Sequence, residues 1–212
     1  MEVLKMDPNY EFDYIAENIF SPIYPVIADD IIDKTEIYEG DFLDIGCGGG
    51  HLGFSLMKKT DLKGTFIDIN EFAVEKAKKR AKSLGLDSRT EILIDDVCNM
   101  SFEDNTFDLI ISRGSMGFWD DHEKAFSEIY RVLKPGGKTY IGGGLGSREL
   151  YRDIYEKMQT VNPGWPNARK NSKRKKKKPT EYYMEIFRKL DFHEYSEVKN
   201  EEKGRWFIIE KA

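Results

Sequence analysis

The sequence predicts an α/β fold with helices on both faces of one doubly wound, seven-stranded sheet. From Gly40 onward, short apolar runs alternate with amphipathic segments, which is the pattern of parallel strands joined by helices. Near the C-terminus, two strand-like runs are joined by a connection too short for a helix. Such neighbours are expected to pair antiparallel, because a parallel crossover needs about a dozen residues or more.

Two helices are predicted ahead of the sheet, within residues 1–39. Apolar residues recur at a spacing of three and four, first over Tyr10–Ile19 and again over Ile23–Ile31. Ser21-Pro22 suits the break between these helices, and Pro25 suits the first turn of the second one. We therefore expect an N-terminal helical cap on the sheet.

The segment 40–144 is the predicted core of the sheet. Its five strands are expected at Phe42–Ile45, Thr65–Asp68, Glu91–Ile94, Phe107–Ser112 and Lys138–Ile141. Its helices are expected at His51–Lys59, Glu71–Leu84 and Asp121–Leu133. Gly85 ends the second of these helices, and Pro135-Gly136-Gly137 stops the third.

Residues 145–212 complete a single predicted domain that covers the whole chain, 1–212. A helix over Glu181–Leu190 is followed by strands at His193–Val198 and Arg205–Glu210, which form the expected hairpin. Eight basic residues and no acidic one lie between residues 168 and 180. Because the whole chain has a net charge of −5, the rest of it carries −13. Such a basic block is predicted to be a solvated loop outside the core.

The composition indicates a globular protein of a reducing cytoplasm. Hydrophobic residues make up 40% of the chain and charged residues 33%, and no apolar run approaches the ~20 residues of a membrane helix. The first twelve residues lack the basic flank and apolar stretch of a signal peptide. Cys47 and Cys98 have no CxxC spacing, and the three histidines form no ligand pattern. We therefore expect neither disulfides nor a metal.

The segment Asp44-Ile45-Gly46-Cys47-Gly48-Gly49-Gly50 follows the first predicted strand and opens a helix. Glycine allows the chain to turn sharply and lets the backbone approach a ligand that a Cβ would obstruct. The helix start offers free N–H groups to a carboxylate or phosphate. Such a loop alone is compatible with any dinucleotide-binding fold.

Acidic residues at the ends of the next two strands narrow the type of ligand. Asp68 ends the second strand, where a carboxylate accepts both hydroxyls of a ribose. Asp95-Asp96-Val97 ends the third strand, where a carboxylate and a backbone N–H reach an adenine. Aspartates are also common in turns after strands, so the argument depends on their joint position at one edge of the sheet.

The motifs FLDIGCGGG, FIDIN, ILIDDV, FDLIIS and RVLKPGG resemble those of class I S-adenosylmethionine-dependent methyltransferases, over about Gly40–Gly144. SRGSMGFWDD, IYRVLKPGGKTYIGGG and IFSPIYPVIA are similar to a small group of methyltransferases from methanogenic archaea and other anaerobes. The resemblance implies the strand order 3-2-1-4-5-7-6, with the seventh strand antiparallel. It also implies S-adenosylmethionine as cofactor and S-adenosylhomocysteine as product.

The resemblance places the cofactor's methionine part at Asp44, Gly46 and Gly48, its ribose at Asp68 and its adenine at Asp96 and Val97. Ser112 to Ser115 would border the sulfonium and the substrate. Cys47 is interpreted as a small filler, and His51 either touches the cofactor carboxylate or is simply exposed. The full expected set is Asp44, Gly46, Cys47, Gly48, Asp68, Ile69, Asp95, Asp96, Val97, Arg113, Gly114 and Ser115.

No catalytic residue is fixed by the sequence, but Arg113, Tyr24 and Trp119 are candidates. A cation after the fourth strand is costly to bury without an anion, so Arg113 is expected to bind an acidic substrate or the cofactor carboxylate. Other residues that could surround the acceptor are Tyr10, Tyr14, Ser115, Phe118, Gly142–Gly146 and Trp165. For the aromatic residues, packing on the core is the alternative interpretation.

The methyl acceptor is expected to be a small molecule, and the chain a monomer or homodimer. RNA or DNA is the alternative acceptor, bound through the basic segment 168–180. An NAD-dependent oxidoreductase is less favoured, although Tyr130 and Lys134 have a Tyr-x-x-x-Lys spacing; a non-catalytic, cofactor-binding regulator is a further alternative. Asp120-Asp121 suits a helix cap better than a metal.

Overall fold

The structure is a computed structural model that describes residues 8–163, 165, 178–200 and 204–212. Its strands are β1 (Asp41–Ile45), β2 (Lys63–Asp68), β3 (Thr90–Ile94), β4 (Phe107–Arg113), β5 (Leu133–Gly143), β6 (Glu194–Asn200) and β7 (Gly204–Glu210). Its α-helices are α1 (Pro8–Asn18), α2 (Ile23–Thr35), α3 (His51–Met57), α4 (Glu71–Ser83), α5 (His122–Val132), α6 (Arg148–Val161) and α7 (Thr180–Lys189). Short 3-10 turns cover Asp87–Arg89 and Met116–Phe118.

The seven strands form one sheet in the order β3-β2-β1-β4-β5-β7-β6. Strands β1 to β5 pair in parallel, whereas β7 runs antiparallel to both β5 and β6. The predicted fold class and strand order are therefore confirmed. Because the chain passes from β3 back to β4 on the other side of β1, the direction of winding reverses between β1 and β4.

Two hydrophobic clusters fill the space on either side of the sheet. Phe42 belongs to the cluster beneath α1, α2, α3 and α6, and Leu43 to the cluster beneath α5 and α7. This alternation is the period of two expected for a strand that is buried on both faces. Among the described residues, no helix is long and apolar enough to cross a membrane.

Strand β5 begins five residues earlier than predicted. Pro135-Gly136-Gly137 was expected only to stop a helix, yet it lies within the strand. The Gly136 N–H donates to the Lys211 carbonyl at 2.7 Å, and the Lys211 N–H donates to the Gly137 carbonyl at 3.1 Å. The C-terminal residues therefore supply pairing partners that local turn propensity does not reveal.

Helix α6 was not predicted at all. The Ser147 hydroxyl caps its N-terminus by accepting from the Leu150 N–H at 3.2 Å. Ile154 and Met158 are buried on one face at a spacing of four. These are ordinary signals of an amphipathic helix, but a short apolar stripe among charged residues makes them weak.

Candidate functional site

A cleft lies at the carboxyl ends of β1 and β4, where the winding direction of the sheet reverses. Open α/β sheets bind ligands at such a point. The space in and above it, part of which is open to solvent, is about 380 Å³. Its lining residues are Phe12, Ala16, Tyr24, Asp44, Gly46, Cys47, Gly48, Gly49, His51, Leu52 and Arg113.

The glycine loop after β1 forms the floor of the cleft. Gly46 and Gly48 have φ values of +63° and +55°, which favour glycine. A Cβ on Gly46 would also overlap the Cβ of Ser115 from the segment after β4. The two segments therefore pack directly on each other, and only glycine fits between them.

Asp68 is held against the glycine loop by backbone hydrogen bonds. Its Oδ2 accepts from the Gly48 N–H at 2.9 Å, and its Oδ1 accepts from the Asn70 N–H at 2.9 Å. Burial raises the pKa of Asp68, against the opposing effect of these two donors. Each carboxylate oxygen has a second lone pair, so Asp68 is able to accept hydrogen bonds from a ligand as well.

Asp44 is buried beneath the loop, with only 2% of its surface exposed. Burial raises the pKa of Asp44 to about 8, although the Gly53 N–H donates to its Oδ2 at 3.2 Å and partly offsets the effect. The group therefore holds its proton at neutral pH. Cys47 beside it is half-buried, and desolvation raises the pKa of its thiol, which fits a filler better than a nucleophile.

At the end of β3, Asp95 and Asp96 have different surroundings. Asp95 Oδ2 accepts from the N–H and the hydroxyl of Ser101, at 3.0 and 2.9 Å, so this side chain closes its own turn. Asp96 is exposed and Val97 is buried. Ile69 at the end of β2 is 70% exposed, which leaves an apolar surface at the same edge of the sheet.

The guanidinium of Arg113 is stacked against aromatic rings. It lies 5.3 Å from the ring centre of Phe20 and 5.5 Å from that of Tyr24. Its Nε donates to the Gly144 carbonyl at 3.3 Å. Among the described side chains, no carboxylate lies within 4.0 Å of this guanidinium, and burial lowers the pKa of Arg113.

His51 has an unusual position at the start of α3. Its ring stacks on Tyr24 with centroids 5.1 Å apart, and its Nε2 is buried with no hydrogen-bond partner. Burial and the nearby charges of Arg80 and Arg113 lower the pKa of His51 to about 4. The ring is therefore neutral at physiological pH, and one nitrogen is available to a ligand.

Helix α1 is fixed over the glycine loop by α4. Lys76 pairs with Asp13 at 3.1 Å, and Arg80 pairs with Glu17 at 3.2 Å. Arg80 also donates to the Gly49 carbonyl. We call these four side chains the α1–α4 clasp. The sequence alone did not indicate it, because both α4 residues lie on a polar helix face that is rich in lysine.

The segment after β4 is internally bonded. Ser115 Oγ contacts Ser112 Oγ and accepts from the indole N–H of Trp119 at 3.0 Å. Gly114 N–H donates to the Gly142 carbonyl at 2.7 Å. Trp119 is buried against Phe126, with centroids 5.6 Å apart, which supports the packing interpretation of this candidate over a place in the cleft wall.

The other expected acceptor residues are spread more widely. Phe118 and Tyr14 are each 48% exposed, and Trp165 packs against Phe20 with centroids 6.4 Å apart. The side chain of Tyr10 lies outside the described residues, as does the basic segment 168–180 except for its last three residues. These positions contribute no further contact to the cleft as described.

The residues that suggested an oxidoreductase or a metal site lie outside the cleft or have structural roles in their own segments. Tyr130 stacks on Phe192 at 4.3 Å, and Lys134 pairs with Asp108 at 2.8 Å. Both lie near the start of β5, at the sheet edge opposite the cleft. Asp121 accepts from the Lys124 N–H at 3.1 Å as the N-cap of α5.

Comparisons with known proteins agree with this geometry. A family model described as a methyltransferase domain matches residues 42–137. A protein of Methanococcus maripaludis, assigned to the S-adenosyl-L-methionine-dependent methyltransferases, has a similar crystal structure. It is 40% identical, with a TM-score of 0.87, over 96% of this chain and 91% of that one.

Curated relatives match over a smaller part of their length. The 24-methylenesterol C-methyltransferase 3 of Arabidopsis thaliana is 32% identical over 73% of this chain and 46% of its own. The mitochondrial arginine-hydroxylase NDUFAF5 of Mus musculus is 35% identical over 66% of this chain and 38% of its own. The chain thus spans less than half the length of these two relatives. On the near full-length match to the Methanococcus protein and on the shared strand order, the chain belongs to the class I S-adenosylmethionine-dependent methyltransferases.

Proposed function

We propose that this chain binds S-adenosylmethionine in the cleft and transfers its methyl group to a small-molecule acceptor. The observation that carries the proposal is the Asp68 carboxylate, which is bonded to Gly48 of the glycine loop at 2.9 Å. This contact joins the ends of β1 and β2 into one polar surface, over which a nucleoside and its amino-acid tail would extend. Relatives named as sterol methyltransferases support a small acceptor.

The residues present fit this cofactor. Asp68 would accept from the ribose hydroxyls, and Asp96 with the Val97 N–H would bind the adenine beside the exposed Ile69. The amino-acid part would be surrounded by Asp44, Gly46, Cys47 and Gly48. The Nε2 of His51 lies beside them, buried and without a hydrogen-bond partner among the described residues, so it could bind this part of the cofactor. Asp95 supports this site indirectly, since both its oxygens already close the turn. Arg113, Gly114 and Ser115 would border the position of transfer.

When bound, S-adenosylmethionine would supply a methyl group on a positively charged sulfur: the acceptor's lone pair would bond to the methyl carbon in line with the breaking carbon–sulfur bond, and the sulfur would leave as a neutral thioether. The chain's main task is therefore to position the acceptor and exclude water. Burial raises the pKa of Tyr24, so its phenol keeps its proton at neutral pH and is suited to orient an acceptor. Neutral His51 is too weak a base, with a pKa of about 4, to be the main proton acceptor.

The remaining attributes belong to the same proposal. We place the whole chain in one domain, acting in the cytoplasm as a monomer or homodimer, and the free thiols of Cys47 and Cys98 support a reducing compartment. A nucleic-acid acceptor remains the competing substrate because of the basic segment 168–180. One relative is named an arginine-hydroxylase, so methyl transfer itself has to be measured.

Calorimetry with S-adenosylhomocysteine tests the cofactor site. Wild type should bind it, and Asp68→Ala should bind at least about tenfold more weakly, because hydrogen bonds to a charged acceptor contribute about 1.5–3 kcal/mol each. Asp61→Ala, which removes an exposed carboxylate, should bind like wild type. Equal binding by Asp68→Ala would refute the site.

Labelled methyl donor tests the reaction. We would incubate the protein with labelled S-adenosylmethionine and the separated small-molecule, RNA and protein fractions of a Methanococcus maripaludis extract. Label should enter the small-molecule fraction. Incorporation into RNA alone, lost on removal of residues 168–177, would establish the competing acceptor instead.

A further inference from the structure

Arg113 presents a half-buried positive charge that no described carboxylate neutralises. Burying a cation without a partner is costly, and the aromatic faces of Phe20 and Tyr24 offset only part of this cost. The Nε bond to the Gly144 carbonyl occupies one of five N–H donors. The outer edge of the guanidinium is therefore available to a ligand that carries negative charge.

The position of Arg113 in the sheet bears on which molecule supplies that charge. Asp44 and Asp68 lie at the carboxyl ends of β1 and β2, and Asp96 follows β3, which is the half of the sheet assigned above to the cofactor. Arg113 ends β4 and is bonded to Gly144 just beyond the end of β5. The guanidinium thus comes from the β4–β5 half of the sheet and lines the cleft opposite the glycine loop residues that were assigned to the cofactor.

The surroundings of Arg113 also indicate the body of this ligand. Phe20 connects the guanidinium to Trp165, whose ring centre lies 6.4 Å from that of Phe20. Gly143 and Gly144 place no side chain above the end of β5. A flat apolar group would contact these rings while an attached anion met the guanidinium in the planar geometry that suits a carboxylate.

We propose that Arg113, held between Phe20 and Tyr24, binds a carboxylate of the methyl acceptor, so that the acceptor is a small organic acid with a flat apolar body. The inference rests on the proposed function, since it names the substrate class of the same cleft. The cofactor also carries a carboxylate, and the experiment has to distinguish the two.

The experiment uses the full chain saturated with S-adenosylhomocysteine. Saturation-transfer NMR and calorimetry would compare indole-3-acetate with indole-3-acetamide, and benzoate with benzamide. Each acid should bind at least about tenfold more tightly than its amide, as expected when one charge-assisted contact is lost. Arg113→Met should abolish this preference, Arg113→Lys should retain part of it, and Arg188→Met, which removes an exposed arginine on α7, should leave it unchanged.

A second titration identifies the source of the carboxylate. S-adenosylhomocysteine and 5′-methylthioadenosine, which lacks the amino-acid part, would be titrated into wild type and Arg113→Met. The proposal expects both affinities to change by less than about threefold. A loss of at least about tenfold for S-adenosylhomocysteine alone would assign Arg113 to the cofactor and overturn the proposal.

The remaining outcomes are also decisive. If wild type binds S-adenosylhomocysteine but no acid of the panel better than its amide, the substrate class is refuted while the methyltransferase function stands. If wild type binds no S-adenosylhomocysteine at all, the proposed function itself fails. Near-ultraviolet circular dichroism checks that Arg113→Met is folded, and Arg113→Lys tests the same preference with the positive charge retained.

Discussion

Replacing Asp44 with asparagine should change how the stability of the protein depends on pH. The carboxyl has an ordinary pKa of 3.8, and burial raises it to about 8 in the folded chain. Between these values the folded state keeps a proton that the unfolded state has released. The free energy of unfolding therefore falls as the pH rises from about 4 to about 8.

The magnitude follows from the width of this window. Each pH unit corresponds to about 1.4 kcal/mol, so about four units set an upper bound near 6 kcal/mol. The pKa of about 8 already includes the opposing effect of the Gly53 N–H, which donates to Oδ2 at 3.2 Å, and only about three of these pH units lie between pH 5 and pH 8. We expect wild type to lose about 2–4 kcal/mol relative to Asp44→Asn between pH 5 and pH 8.5.

Urea unfolding followed by circular dichroism at pH 5, 6, 7 and 8.5 measures this difference. Asparagine keeps the size of the side chain and an acceptor for Gly53, so the variant should fold. Asp61→Asn, at an exposed position, should follow wild type at every pH. Parallel curves for wild type and Asp44→Asn would show that Asp44 is ionised throughout, and the account of a neutral cleft floor would fail.

Three further changes test other parts of the structure. Gly46→Ala, which forces a Cβ against Ser115 at positive φ, should cost about 1–3 kcal/mol in unfolding free energy and weaken S-adenosylhomocysteine binding in calorimetry; Gly85→Ala, where a Cβ meets open space, should leave binding unchanged. The release of S-adenosylhomocysteine, measured by stopped flow, should become faster when salt is added, because salt screens the ion pairs of the α1–α4 clasp. Glu17→Gln should reduce this salt dependence. Glu75→Gln, which removes an exposed ion pair on α4, should leave it unchanged. Arg131→Met removes bonds to Glu128, Asp104 and two carbonyls and should cost about 2–4 kcal/mol in urea unfolding with unchanged ligand affinity, since Arg131 lies at the opposite edge of the sheet. A changed ligand affinity in Arg131→Met, or an unchanged ligand affinity in Gly46→Ala, would contradict these assignments.

The strands and the glycine loop could be predicted because they depend on local patterns, whereas the strand order was implied by the resemblance to the methyltransferase family. Strands buried on both faces give continuous apolar runs, and the turn after β1 needs glycine at specific φ values. The acidic strand ends, Asp68 and Asp96, also follow from position along the chain. Each of these features can be identified without knowing what packs against it.

The contacts between distant segments could not be predicted in the same way. Arg80 reaches the Gly49 carbonyl from 31 residues away, and nothing in its own helix distinguishes it from its neighbours. The early start of β5 depends on Lys211. Trp119 was a candidate for the cleft wall, yet its burial against Phe126 is decided by the tertiary structure.

The tight packing of Gly46 on Ser115 has a consequence for how acceptor choice can be altered. The segments after β1 and β4 leave no room for added atoms between them, so substitutions at this junction would disturb methyl-donor binding along with everything else. Gly143 at the end of β5, where an added Cβ would lie 3.7 Å from its nearest neighbour, and Phe12 on α1, which lines the cleft and is 58% exposed, have no such restriction. An engineer who wishes to redirect this fold to a new acceptor should therefore diversify those two positions and leave the junction intact.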